Sequence, residues 1–188
     1  MCDDAPMTLW SDNWRTVIDL FTEAVGSVHP DQWDASTTCD GWDVRDLVEH
    51  AIDYQRGYGA FLGADTAIQT PLGDDPAAAW VQIRTALIDI YETPGTLERR
   101  FDFLSIVPGT VGEQLIVPTA DLLIHTWDLA RSIGINVELP SEICEGVLSK
   151  MRAVEVAIRI PELYGPAVEP PPGADAQTQL LCFTGRRA

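Results

Sequence analysis

Residues 118–134 read PTADLLIHTWDLARSIG, and the pattern of this stretch decides the fold. Wound as a helix at 100° per residue, Asp121, His125, Asp128 and Ser132 share one strip roughly 60° wide. Leu122, Leu123, Ile124, Trp127, Leu129, Ala130 and Ile133 take up most of the remaining circumference. A helix on a protein surface shows water a broad face of long Lys and Glu chains. This one has a narrow face of short Asp, His and Ser, so it reads as a helix inside a bundle. It covers Pro118 to Ile133, with room to reach back to Glu113, and Gly134 closes it.

The neighbouring stretches repeat the helical period. Trp10, Trp14, Val17, Ile18, Phe21 and Val25 recur at three- and four-residue steps, with Thr8 as N-cap and an end near Gly26–Pro30. A second helix opens at Asp43, carries Val44, Leu47, Val48, Ala51, Tyr54, Tyr58, Phe61 and Leu62 on one face, and stops around Gly63. Asp75-Pro76 starts a third, a cap followed by proline at the first helical position. Its stripe is Trp80, Ile83, Leu87, Ile90 and Tyr91, and Pro94-Gly95 ends it. Residues 97–115, LERRFDFLSIVPGTVGEQL, alternate in a way that suits a short extended segment or hairpin. A fifth helix follows Pro140-Ser141 and runs to Ile160. After a stiff Pro-rich stretch at Glu169–Gly173, residues 177–187 form a short helical piece. The expectation is an all-α bundle over 1–165, with 166–188 packed on the same domain.

Chemistry concentrates on two helices. A carboxylate and an imidazole at i and i+4, here Asp121 and His125, can converge on one point. His50 lies within the apolar stripe of its helix, beside Leu47 and Tyr54, so it points inward and needs a partner for each ring nitrogen. Two histidines and a carboxylate from two helices suit zinc with an open fourth position, or an open-sited iron or nickel centre. The same residues also fit a plainer reading, a hydrogen-bonded core histidine and an i,i+4 Asp–His pair.

Bulk composition narrows the partners. Of 188 residues, 29 are acidic and 12 basic, a formal charge of −17 that repels nucleic-acid phosphates and anionic lipid. No apolar run approaches the ~20 residues that cross a bilayer, and the start MCDDAPMTLW is acidic where a secretory signal is basic. The expected location is cytoplasmic, as monomer or homodimer. Cys2, Cys39, Cys144 and Cys182 form no C-x-x-C pair and read as free thiols, mostly packed as small hydrophobes.

Residues 37–52, TTCDGWDVRDLVEHAI, resemble the T-x-C-x-x-W-x-V-x-x-L-x-x-H segment of the mycothiol-dependent maleylpyruvate isomerase family, within the DinB-like superfamily. Residues 121–134, DLLIHTWDLARSIG, resemble that family's carboxylate-x-x-x-His-x-x-Asp-Leu segment, and LLCFTGR at 180–186 adds to the likeness. The resemblance implies a DinB-like four-helix bundle with one long crossover, plus an additional C-terminal helix and docked tail. It covers the bundle alone, without the family isomerase's further C-terminal domain. It implies a divalent metal, usually zinc, on His50, Asp121 and His125, with Asp at 121 where better-studied members have Glu. It also implies a low-molecular-weight thiol such as mycothiol or bacillithiol as partner of an electrophilic substrate.

The activity so implied is a thiol-dependent transferase or isomerase. The alternative is a non-catalytic metal- or small-ligand-binding bundle serving as sensor, store or accessory protein. Around the three ligands, Asp128 is a candidate acceptor for a ligand imidazole, or a base. Tyr54, Tyr58 and Arg131 are candidate pocket-lining groups. Trp42 and Val44 are read as packing residues at the start of the second helix. Cys39 is read as an inert thiol that stands near enough to that start to approach a metal. His29 is expected at the surface.

Overall fold

The computed structural model describes residues 8–61, 75–101, 108–160 and 163–187. These fall into two compact units, one ending at Ile135 and one beginning at Asn136. The first contains α1 (Thr8–Gly26), α2 (Val44–Phe61), α3 (Pro76–Glu92), α4 (Val111–Gln114) and α5 (Ile116–Ser132). The second contains α6 (Ser141–Ala153), α7 (Glu155–Ile158) and α8 (Ala176–Phe183). No strand occurs among the described residues, only isolated bridges at Ser36–Asp43 and Arg100–Thr110. The chain is all-α.

Four helices of the first unit form a DinB-like bundle. Each long helix packs on two others: α1 on α5 and α3, α2 on α3 and α5. Consecutive α1 and α2 are therefore diagonal, and residues 27–43 make the long crossover between them. The core is the set that the three- and four-residue spacing selects, including Trp14, Val17, Ile18 and Phe21 of α1 and Leu47, Val48 and Ala51 of α2. Trp80, Ile83 and Leu87 of α3 complete it with Leu122 and Leu123 of α5. Across the diagonal, the Trp14 indole N–H points to Gln55 Oε1 at 3.4 Å. Gln55 is itself buried and donates to the Pro118 carbonyl at 2.9 Å, so its amide is used on both sides.

Local chemistry sets the helix ends. The Asp75 carboxylate accepts from Ala78 N–H at 3.0 Å, with Pro76 in the first turn. At α2, Asp46 N–H donates to Asp43 Oδ1 and Asp43 N–H to Asp46 Oδ2, a reciprocal cap. Gly134 closes α5 with φ +79°, which L side chains adopt at a cost, and Ile135 N–H then reaches back to the Ala130 carbonyl at 2.9 Å. Helix α5 is buried at every position from Pro118 to Ala130 except Asp121. Its buried hydroxyls on Thr119 and Thr126 donate to carbonyls four residues back, so they need no outside partner.

Two expectations are corrected. Phe61, placed on the apolar stripe of α2, is 77% exposed; it is the helix's last residue, and among the described residues its ring stands nearest Phe101, 6.3 Å away between centroids. The helix expected from Ser141 to Ile160 breaks at Val154, between α6 and α7. There Val154, Val156, Ile158 and Ile160 recur every second residue, about 200° apart on a helix, and cannot share one buried face. Val156 is 93% exposed accordingly. The expectations on Cys2, Leu62, Gly63 and residues 102–107 lie outside the described residues.

In the second unit, α6 packs on α8. Gln177 holds the approach to α6, accepting from Leu139 N–H at 2.7 Å and donating to the Val137 carbonyl at 3.3 Å. Cys144 and Cys182 are buried free thiols, and burial pushes Cys144 up to about 12, leaving it unreactive at neutral pH.

Candidate metal centre

The seam between α2 and α5 brings together the three groups singled out in the sequence. His50 comes from α2; Asp121 and His125 stand one turn apart on α5. His50 Nε2 lies 3.5 Å from Asp121 Oδ1, and His125 Nε2 lies 3.7 Å from the same oxygen. The two imidazoles meet edge to face with centroids 5.0 Å apart. One ligand atom from each residue lies within 4.8 Å of the other two.

An N–H···O hydrogen bond spans ~2.7–3.2 Å, so neither histidine is properly hydrogen-bonded to Asp121. Two ligands each ~2.0–2.2 Å from a tetrahedral zinc stand about 3.3–3.5 Å apart. The two imidazole–Asp121 spacings are close to that second geometry. Asp121 Oδ2 is buried with no hydrogen-bond partner among the described residues. A carboxylate oxygen left so costs about 1–3 kcal/mol or more, and a cation between the three residues would satisfy it. The residues present therefore fit a divalent ion.

Behind the triad, Asp128 is fully buried. The His125 Nδ1–H donates to its Oδ2 at 3.0 Å, and the Cys39 thiol points to the same oxygen at 3.6 Å. The Thr38 hydroxyl donates to Oδ1 at 2.6 Å. An ionised carboxylate only accepts, so a proton is assigned to His125 Nδ1, and Nε2 faces Asp121 and His50, where it could bind an ion on giving up its own proton.

The indole of Trp42 packs 4.7 Å from the His50 ring and 6.0 Å from that of His125. Trp42 also lines, with Cys39 and the carboxylates of Asp40, Asp43 and Asp46, a recess of about 360 Å³. The Tyr54 ring stands 6.1 Å from His50. Tyr58 turns away from the triad, its hydroxyl donating to the Gln114 carbonyl at 2.7 Å and its ring on Phe101. Arg131 is exposed in the last turn of α5. His29 is exposed and paired with Asp31. Sequence reading missed Thr38 and gave Trp42 only a packing role. Both act from the loop before α2; the T-x-C-x-x-W run signals Trp42, but Thr38 fills its unspecified second position, so nothing in the sequence singled it out.

Residues 14–130 match the family described as the mycothiol maleylpyruvate isomerase N-terminal domain. The chain belongs to that family. The matched span carries His50, Asp121, His125 and Asp128, so all four lie in the part shared with the mycothiol maleylpyruvate isomerase N-terminal domains. Two Mycobacterium tuberculosis proteins are similar along nearly the whole chain: MT0763 of strain CDC 1551 / Oshkosh and Rv0738 of strain H37Rv, both described as uncharacterized. Each is 32% identical over 179 residues, covering 89% of this chain and 92% of the relative. No solved structure gives a significant match. None of the described helices is long and apolar enough to cross a membrane.

The charges around His125 make a pH-dependent prediction. Burial opposes its protonation, but the Asp121 charge and the hydrogen bonds to Asp128 and Cys39 outweigh that and raise its pKa to about 10. Its ordinary value is ~6.5. In the metal-free family member the charged imidazole therefore contributes stability that is complete below about pH 6.5 and is lost as pH rises toward 10. An ion must displace a proton from this ring, so zinc stabilisation grows over the same window. Urea midpoints measured from pH 6.5 to 8.5 are expected to fall in chelator and to show a widening gap when zinc is added. Parallel curves, or identical slopes for wild type and His125→Gln, would refute this.

Proposed function

We propose that the chain is a divalent-metal-dependent enzyme that activates a low-molecular-weight thiol of the mycothiol or bacillithiol type. The reaction is S-transfer to a small electrophile, or its cis/trans isomerisation. One observation carries the reading: the imidazoles of His50 and His125, from α2 and α5, converge near ligand spacing on Asp121 Oδ1, whose companion Oδ2 is buried without a hydrogen-bond partner among the described residues. Membership of a family named for a mycothiol-dependent isomerase supports the choice of thiol.

His50, Asp121 and His125 would hold the ion, zinc first by donor type, with nickel or iron also compatible. A dication bound there supplies the positive charge that keeps a thiol, ordinarily near pKa ~8.5, ionised at neutral pH. Three protein ligands leave a position for that thiol. Asp128 keeps a His125 proton on Nδ1, and Trp42 packs beside both imidazoles while Tyr54 packs beside that of His50. In S-transfer, sulfur bonds to the electrophilic carbon, the leaving group departs with its electron pair, and the thiol's proton goes to solvent. In isomerisation, sulfur adds to a conjugated cis alkene, the resulting single bond rotates, and elimination releases the trans alkene and the thiol unchanged.

Metal analysis of the purified chain, followed by incubation with mycothiol and a chloronitroarene or a maleyl-type alkene, tests the proposal. One equivalent of zinc and thiol conjugation or isomerisation that stops in chelator would support it. A protein that takes up no divalent ion rules it out. If the visible spectrum of the cobalt-substituted protein does not change when mycothiol is added, no ligand position is open, and the non-catalytic binding reading replaces the enzyme.

A further inference from the structure

We propose that Thr38 is a positioning residue for the candidate metal centre: its hydroxyl fixes the Asp128 carboxylate, which in turn fixes the His125 imidazole. The inference rests on the metal reading above and adds a residue that belongs to neither ligand-bearing helix.

The argument starts from what a carboxylate can do when buried. Asp128 is wholly shielded from solvent, so no bulk water is at hand to replace a lost donor. With both oxygens free, its carboxylate could turn about its terminal torsion, which is broad. It is pinned at two points instead. Oδ1 takes the Thr38 hydroxyl at 2.6 Å, within the short range of O–H···O⁻ bonds, and Oδ2 takes His125 Nδ1–H at 3.0 Å. The Cys39 thiol, a weak donor at 3.6 Å, reaches Oδ2, whereas the Thr38 hydroxyl is a strong donor to Oδ1.

Thr38 can act as an anchor only if its own loop is fixed, and the loop is closed on itself. Thr37 N–H donates to the Trp42 carbonyl at 3.0 Å, and Trp42 N–H to the Cys39 carbonyl at 3.1 Å. The Thr37 hydroxyl accepts from Cys39 N–H at 3.1 Å and lies 3.0 Å from the Trp42 carbonyl. Gly41, at φ +81°, makes the reversal that this turn requires. Asp43 and Asp46 then tie the loop to the start of α2, the helix that carries His50. One rigid turn thereby sets both the position of α2 and the orientation of an imidazole on α5. Groups that orient a ligand in this way typically alter metal affinity about 10–100-fold when removed.

Cobalt titration of the full chain, followed by its visible absorption, tests the assignment. Thr38→Val, which keeps shape and removes the hydroxyl at an exposed position, is expected to weaken cobalt binding about tenfold, the low end of that range. It should also change the absorption envelope at saturation, because the His125 ring is no longer held. Thr38→Ser restores the donor and should recover both affinity and spectrum, an outcome that a general loosening of the loop would not give. Wild-type affinity and spectrum in Thr38→Val overturn the proposal while leaving the metal centre standing. A wild-type chain without any cobalt spectrum overturns the metal reading, and this proposal with it.

Discussion

Replacing His125 with Ala is expected to weaken zinc binding by two to three orders of magnitude. Structural zinc sites in small peptides bind with about 10–16 kcal/mol at neutral pH. Spread over three protein ligands, that is roughly 3–5 kcal/mol for each, at 1.4 kcal/mol per decade. His50 stands at the solvent side of the site, its side chain 34% exposed against 10% for His125, so His50→Ala should cost less than His125→Ala. Competition against a chromophoric chelator reads both. An affinity for His125→Ala within threefold of wild type would remove this residue from the ligand set.

The second large effect is on stability, at the opposite seam of the bundle. Trp80 of α3 is 1% exposed, stands edge to face with Phe21 of α1 at 4.7 Å, and donates its indole N–H to Thr22 Oγ1 at 2.9 Å. Trp80→Ala removes all three contributions and leaves a cavity, a loss of about 3–5 kcal/mol. Thr22 is not orphaned, because its hydroxyl donates to the Ile18 carbonyl at 2.6 Å, so no further penalty arises there. At about 2–4 °C per kcal/mol for a chain of this size, the melting temperature in chelator should drop by about 10 °C. Zinc affinity should hold, because neither ligand-bearing helix loses a contact to Trp80's hydrogen bond or ring pair. Calorimetry with and without zinc checks both halves. A loss below about 1 kcal/mol would mean that the α1–α3 seam repacks around the gap.

Much of this could be read in advance because the signals were local. Val17, Ile18, Phe21 and Val25 announce a buried face by spacing alone, Asp75-Pro76 announces a start, and Gly134 an end. His50 stood out as a polar group in an apolar stripe, and Asp121 with His125 as a converging pair. Spacing cannot tell a hydrogen-bonded Asp–His pair from two ligands; what the structure adds is a 3.7 Å separation, longer than a hydrogen bond. What acts from a loop was least visible. Thr38 and Trp42 reach α5 and the imidazoles only after the crossover folds back, and no helical period places them. The break at Val154 was written in the sequence as β-branched residues at every second position, but a long run after Ser141 hid it.

The placement of the three candidate ligands along one seam has a kinetic consequence. Residues 50 and 121 are distant in the chain, so an ion held by both staples a long loop, as a crosslink would. Parting α2 from α5 and setting the ion free are then one event. The off-rate of the ion would report how often that seam breathes, and loading would slow amide exchange in α2 and α5 together before it reached α1 or α3.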